Sequence, residues 1–324
     1  MGVIQIVKPG MLTTIQDNGR WGFQSRGVPV AGPMDPYSHR VANALVGNTV
    51  DAATLEVTLL GPELEFDDER VVAVAGAEFE LAVDGKTVTA GEPFIVRAGF
   101  RLQFGRRVHG SRSYVAVSGG IATPSVLGSR ATHLISAMGG LGGRALKAGD
   151  RLPLGLVWSK DVARGVSRGS SLSRASAKRD ASLRADESPI RIRVLAGPQA
   201  DYFSPDALER LQSASYVISG KSDRMGFRLD GPVLRHSRGA DIISDATPLG
   251  VLQVPASGQP ILLMADRQTT GGYPKIATVI TADLAVAGQL GPGDKISFSV
   301  CSRRDAMAAL IAQERELMAL ERRA

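Results

Sequence analysis

Arg70-Val71-Val72-Ala73-Val74-Ala75-Gly76-Ala77-Glu78-Phe79-Glu80-Leu81-Ala82-Val83-Asp84-Gly85-Lys86-Thr87-Val88 is the stretch on which the reading of the fold turns. Val71–Val74 reads as one strand and Phe79–Val83 as another, each too short for an ordinary helix. Asp84-Gly85 then separates two apolar runs, and both residue types tolerate positive φ, which is what a tight hairpin turn demands. Lys86–Thr89 is the return strand. Working outward, Phe94–Arg97 and Arg101–Phe104 extend the meander across Gly99, and Tyr114–Val117 is a further buried strand. The first half is therefore expected to be a compact β structure.

Helical patterns are few. Asp35–Val46 carries Tyr37, Val41, Ala44 and Leu45 at helical spacing, with Pro36 near its start and Gly47 at its end. Ser204-Pro205 is expected to open a second helix, Asp206–Leu211, with serine as N-cap and proline in the first turn. In the tail, Asp305–Arg323, the residues Met307, Leu310, Ile311, Leu317 and Met318 fall near one stripe suited to docking on a core or a subunit. Residues 159–188, rich in Ser, Ala and Arg with few large apolar side chains, read as a flexible linker. The expected organisation is a β domain over 1–158, the linker, and a second β domain over 189–324. Two echoes support a duplicated unit: Leu60-Gly61-Pro62-Glu63-Leu64 against Asp230-Gly231-Pro232-Val233-Leu234, and Ala148-Gly149-Asp150-Arg151-Leu152 against Pro292-Gly293-Asp294-Lys295-Ile296.

The bulk composition narrows the class. With 44% hydrophobic and 22% charged residues over 324 positions, the chain can bury a sizeable core. Part of the net charge of +6 falls in the linker rather than on a stripe interleaved with aromatics, which argues against nucleic-acid binding. A single cysteine, Cys301, excludes an intrachain disulfide framework and a cysteine zinc cluster. The start lacks a secretory pattern, no run approaches the roughly 18 apolar residues of a membrane span, and the expected location is the cytoplasm.

Three segments concentrate groups able to do chemistry. Thr13–Arg20 offers Asp17 and Arg20; the plain reading is a loop with Asx-turns, the functional one a cleft in which Arg20 forks onto a carboxylate or phosphate. Lys221–Arg228, with Arg224 beside Asp223 and Gly226, reads equally as a solvated hairpin tip or an anion-holding edge. The sharpest is Ala265-Asp266-Arg267-Gln268-Thr269-Thr270-Gly271-Gly272-Tyr273-Pro274-Lys275, between the apolar runs Ile261–Met264 and Ile276–Ile280. Against a solvent-facing turn stand its arginine, lysine, paired threonines and glycine N–H groups, which suit a carboxylate, phosphate or developing oxyanion. Gly139–Arg144 lacks the Gly-Lys-Ser/Thr ending of a nucleotide P-loop. His39, His109, His133 and His236 have no metal-ligand spacing, and no Gly-x-Ser-x-Gly elbow is present.

The run Val7-Lys8-Pro9-Gly10-Met11-Leu12-Thr13-Thr14-Ile15-Gln16-Asp17-Asn18-Gly19-Arg20 resembles the opening of the biotin-dependent carboxyltransferase family, also called allophanate hydrolase subunit 2. Gly27-Val28-Pro29, Gly32-Pro33-Met34-Asp35, Ala42–Asn48, Ser118-Gly119-Gly120-Ile121, Leu127–Thr132, Ser222–Gly226, Gln253-Val254-Pro255 and Asp266–Lys275 extend the match in order. The resemblance implies a mainly β fold of two cyclophilin-like β-barrel halves with a few short helices. It also implies a role as one subunit of an ATP-dependent 5-oxoprolinase, opening 5-oxo-L-proline to L-glutamate with companion subunits B and A. Urea-carboxylase-type carboxyl transfer and non-catalytic antagonism of a kinase inhibitor are the alternatives it carries. ATP with magnesium is the expected cofactor, and no covalent biotin is expected because the chain lacks an Ala/Val-Met-Lys-Met motif. The resemblance does not assign individual roles; from the chemistry of the residues, Arg224, Arg267 and Lys275 are expected to supply charge, Asp17 or Asp266 to orient them, and Arg20, Gln268, Thr269, Thr270, Gly271, Gly272 and Tyr273 to contact the anion.

Overall fold

A computed structural model describes residues 2–157 and 189–322. The expected linker, 159–188, lies outside the described residues. The described residues divide into two compact units: 2–20, 31–157 and 315–322 form one, 21–30 and 189–314 the other.

The first unit is built on a nine-stranded sheet. Its strands are β1 (Val3–Lys8), β2 (Leu12–Gln16), β3 (Thr54–Thr58), β4 (Glu63–Phe66), β5 (Arg70–Val83), β6 (Lys86–Val88), β7 (Phe94–Val96), β8 (Arg101–Val117) and β9 (Arg151–Pro153). The order is β2-β3-β8-β4-β1-β9, with β5 pairing β6, β7 and β8. The Asp84-Gly85 turn is as expected: φ is 50° and 79°, and Val83 pairs with Lys86. The strands around it differ from the expectation. Val71–Val74 and Phe79–Val83 are one fourteen-residue strand, and Arg101–Phe104 and Tyr114–Val117 lie within one strand of seventeen. The register of β5 on β8 shifts between Gly76 and Leu81, so bulges fall where buried Ala77, Phe79 and Leu81 alternate with the less buried Gly76, Glu78 and Glu80. Ile4, Ile6, Leu55, Val57, Phe66, Val72, Val74, Val115 and Val117 fill the core.

The helix Pro36–Leu45 packs on β5 and β8. Asp35 caps it by accepting from the Ser38 N–H at 3.0 Å, and proline occupies the first turn, where its missing N–H has no cost. Gly47, with φ of 68°, lies just past its end.

The second unit closes into a seven-stranded barrel. Its strands are β10 (Ile190–Ala196), β11 (Ser215–Ile218), β12 (Gly226–Asp230), β14 (Val251–Gln253), β15 (Ile261–Leu263), β17 (Lys275–Val279) and β18 (Lys295–Val300), in the order β10-β17-β14-β15-β12-β11-β18. Closure comes from β10 lying parallel to β18, while the other pairs are antiparallel. Outside the barrel, β13 (Asp245–Ala246) pairs with β16 (Thr270–Gly271). The mainly β, two-part architecture is thus found, with the second half a closed barrel and the first a half-barrel.

One of the two sequence echoes has a structural counterpart. In the first unit Ile6 N–H donates to the Asp150 carbonyl and Gly149 N–H to the Ile6 carbonyl, both at 2.8 Å. In the second, Ile218 and Asp294 with Gly293 repeat that exchange, both at 2.9 Å. Gly149 and Gly293 have φ of 87° and 91°, a region that favours glycine. The Gly-Pro echo has none, since Gly61-Pro62 leads into β4 and Gly231-Pro232 follows β12.

Two helix expectations are corrected. The second helix runs Ala207–Ser213; Ser204 accepts the Ala207 N–H through its main-chain carbonyl at 2.9 Å rather than serving as side-chain N-cap. The terminal helix begins earlier, at Arg303, because Ser302 and Asp305 cap one another's N–H groups. Its buried positions are Gln313, Leu317 and Leu320, whereas Met307, Ile311 and Met318 of the expected stripe are exposed. The buried stripe is rotated from the one that hydrophobicity alone picks out.

Candidate functional site

The segment leaving β15 does not turn back as a hairpin. In the barrel β14 lies between β15 and β17, so the polar loop must cross from one to the other outside the ladder, and it does so by pairing β16 with β13. The ends of the loop are buried, and its middle, 268–273, is half-buried or exposed. Asp266, Arg267 and Lys275 are buried, as are Arg224 before β12 and Gln253 on β14, while Tyr273 at the tip is exposed. The plain reading as a solvent-facing turn is therefore excluded for the charged members.

The three cations predicted to supply charge are in different situations. Arg224 forks onto Asp266, with Nε to Oδ2 and Nη2 to Oδ1 both at 3.0 Å, and the Asp266 N–H returns to the Arg224 carbonyl at 2.8 Å. Two desolvated charges in so close a bidentate contact neutralise one another and join β12 to the loop. Lys275, only 1% exposed, places Nζ 2.8 Å from Oδ2 of the solvent-facing Asp245 and holds that carboxyl below its usual range. Among the described residues, no carboxylate pairs with Arg267. Its Nε donates to the Thr247 carbonyl at 2.7 Å and its Nη1 to the Met264 carbonyl at 3.3 Å. Burial lowers its pKa to about 10, which leaves it a cation at neutral pH.

Thr247 organises the rest. Its carbonyl takes Arg267, its N–H donates to the Thr269 carbonyl at 3.1 Å, and its hydroxyl donates to the Gln268 carbonyl. Gln268 Nε2 in turn donates to Gln253 Oε1 at 3.3 Å. Gly271 sits against this amide pair: a Cβ there would lie 2.8 Å from Gln253 Nε2. Gly272 accepts the Ile242 N–H at 2.7 Å. Among the described residues no side chain bonds the Thr269 or Thr270 hydroxyl or the Nη2 of Arg267. The loop thus offers one buried cation with an unspent N–H edge, two threonine hydroxyls further along the same loop, and a frame of fixed amides.

Asp17 and Arg20 belong to the first unit, and the expectation that they face a cleft is corrected. Arg20 is fully buried and donates through Nε to the Val126 carbonyl at 3.1 Å and through Nη2 to that of Ala131 at 2.7 Å. The Asp17 carboxylate accepts from the Ser129 hydroxyl and from the N–H groups of Arg130 and Gly19. Both pin 126–131 to the end of β2. Thr247, Asp245 and Gln199, which accepts the Lys275 N–H, were not singled out by sequence. They carry no local signature, whereas Gln253 is a polar residue inside an apolar strand. His39 is fully buried, bonded to Thr54 Oγ1 at 2.9 Å, and burial lowers its pKa to about 4.

The barrel, the half-barrel and this loop together define the class: the chain belongs to the family of the carboxyltransferase domain, subdomains A and B, matching it over residues 26–300. It is similar to the C-type subunit of the 5-oxoprolinase of Escherichia coli (strain K12), with 39% identity over 97% of this chain and 96% of the relative. The urea amidolyase of Saccharomyces cerevisiae is 32% identical over 98% of this chain, which spans only 18% of that much longer protein. Among solved structures, that of the K. lactis urea amidolyase superposes with a TM-score of 0.85 at 32% identity, covering 98% of this chain and 20% of that one.

Proposed function

We propose that the chain is the C-type subunit of an ATP-dependent 5-oxoprolinase, with the Asp266–Lys275 loop as its anion-holding site and companion subunits B and A completing the enzyme. The observation that carries this reading is Arg267, a buried guanidinium with no pairing carboxylate among the described residues. A desolvated cation of this kind holds a carboxylate or phosphoryl group far more strongly than an exposed one. A lactam is a poor electrophile, and transfer of a phosphoryl group from ATP to its oxygen makes ring opening by water feasible. In that scheme Arg267 takes the carboxylate or the phosphoryl oxygens, and the Thr269 and Thr270 hydroxyls add donors. The Arg224–Asp266 and Lys275–Asp245 pairs hold the loop rigid. Among the described residues no cluster of three or more His, Cys, Asp or Glu side chains is placed to hold a metal, and no step is assigned to magnesium.

A second reading is favoured by the fungal relatives: carboxyl transfer in a urea-carboxylase-type enzyme, for which Arg267 serves a carboxylate equally well. The test is ATP hydrolysis by the chain with its companion subunits, measured with 5-oxoproline, with bicarbonate, and with avidin added. Stimulation by 5-oxoproline that avidin leaves untouched is expected. Dependence on bicarbonate with inhibition by avidin would assign the second reading, and complex formation without any turnover would assign antagonism of a partner. If Arg267→Ala leaves the 5-oxoproline-dependent rate within about twofold, less than ~0.5 kcal/mol of barrier, the loop is not the site.

A further inference from the structure

The motifs Ser118–Ile121 and Leu127–Thr132 take no part in the site above, yet they border a cleft of about 330 Å³ within the first unit. Its buried floor is Ala53, Gly120 and Ile121, and its walls include Ala122, Asp51 and Arg130. Gly119 and Gly120, with φ of 88° and 70°, let the chain turn after β8 so that main chain, not side chains, faces part of the space.

Asp51 and Arg130 bring opposite charges to this cleft without pairing. Arg130 is held at two points: its main-chain N–H donates to Asp17, and its Nε donates to the Thr123 carbonyl at 2.7 Å. Among the described residues, nothing bonds its Nη1 and Nη2, and nothing bonds the exposed Asp51 carboxylate. The guanidinium is thus oriented with both terminal N–H edges unspent, the arrangement that suits bidentate binding of a carboxylate. A simple anion would meet Asp51 as a repelling charge, and a simple cation would meet Arg130. A ligand carrying both signs satisfies both walls. The volume is at the lower end for small-molecule clefts, and the aliphatic lining of Ala53, Ile121 and Ala122 has no second cation for an acidic side chain.

We infer that this cleft is a binding site for a small aliphatic α-amino acid, its carboxylate on Arg130 and its ammonium toward Asp51. The site lies in the first unit and stands independently of the reading of the Asp266–Lys275 loop, because its test needs neither ATP nor companion subunits.

The experiment is a ligand-observed NMR titration of the full chain with L-alanine, L-glutamate, 5-oxoproline and propionate. L-alanine is expected to bind saturably and at least ~10-fold more tightly than propionate, which lacks the ammonium, with L-glutamate weaker than L-alanine. Arg130→Lys, which keeps the charge but loses the fork, is expected to weaken L-alanine by ~10-fold or more. Asp51→Asn is expected to remove the preference for L-alanine over propionate. Because Asp51 is exposed and unbonded, that variant leaves the fold intact and keeps the test decisive should Arg130→Lys be unstable. Propionate binding as well as L-alanine, no L-alanine binding up to millimolar concentration, or an unchanged preference in Asp51→Asn would each overturn the proposal.

Discussion

Replacing Arg267 with methionine is expected to stabilise the fold while abolishing activity. Burial lowers the guanidinium from 12.5 to about 10. At about 1.4 kcal/mol per pH unit, the folded chain disfavours the charged form by roughly 3 kcal/mol, and at pH 7, below both values, this penalty is present in full. Opposing it are the 2.7 Å bond to the Thr247 carbonyl and the weaker 3.3 Å contact to Met264, together worth about 1–2 kcal/mol. Methionine fills similar space without the charge, so urea unfolding at pH 7 should show a gain of about 1–2 kcal/mol in Arg267→Met. An anion that binds this site should reverse the order. Phosphate or 5-oxoproline at a hundredfold excess over its Kd adds about 2.7 kcal/mol to the wild type and nothing to the variant. A loss of more than about 1 kcal/mol in the ligand-free variant, or equal stabilisation of both proteins by the anion, refutes the argument and makes Arg267 a structural residue.

Three further outcomes follow from the same structure. Asp266→Leu should destabilise the chain by about 3–5 kcal/mol by stranding Arg224, and adding Arg224→Met should recover most of that in urea melts; failure of the double variant to recover would show that the pair does more than neutralise itself. His39 titrates at about 4 when folded against 6.5 in the unfolded chain, so the unfolded state binds more protons between those values. Stability should fall as pH drops from 6.5 towards 4, by up to about 3 kcal/mol, and His39→Gln should flatten that slope. Gly85→Ala, at φ of 79° in the Asp84-Gly85 turn, should cost about 1–2 kcal/mol by thermal melting although the added Cβ meets no atom within 4 Å.

Local sequence was most informative where the deciding physics is local. The Asp84-Gly85 hairpin, the Pro36 helix start and the repeated Gly-Asp turns follow from backbone preferences within a few residues. It was weakest where a strand depends on its neighbour. Gly76 and Glu78 separate the two apolar runs read from the sequence, and pairing with β8 carries a single strand through them. The terminal helix shows the same limit, because Met307 and Ile311 are as apolar as Leu317 and only packing decides which is covered.

The candidate site divides along that line. From the residues alone came the segment Asp266–Lys275 and its suitability for an anion, since glycine, threonine, arginine and lysine between two apolar strands leave few other uses. The division of labour among its cations came from the tertiary structure. Asp266 lies 42 positions from Arg224 and Asp245 lies 30 from Lys275, so no local pattern could show that both cations are already matched. Charge type is a property of the residue, whereas whether that charge is spent depends on what the fold brings within about 3 Å of it, and among the described residues that leaves Arg267 unmatched.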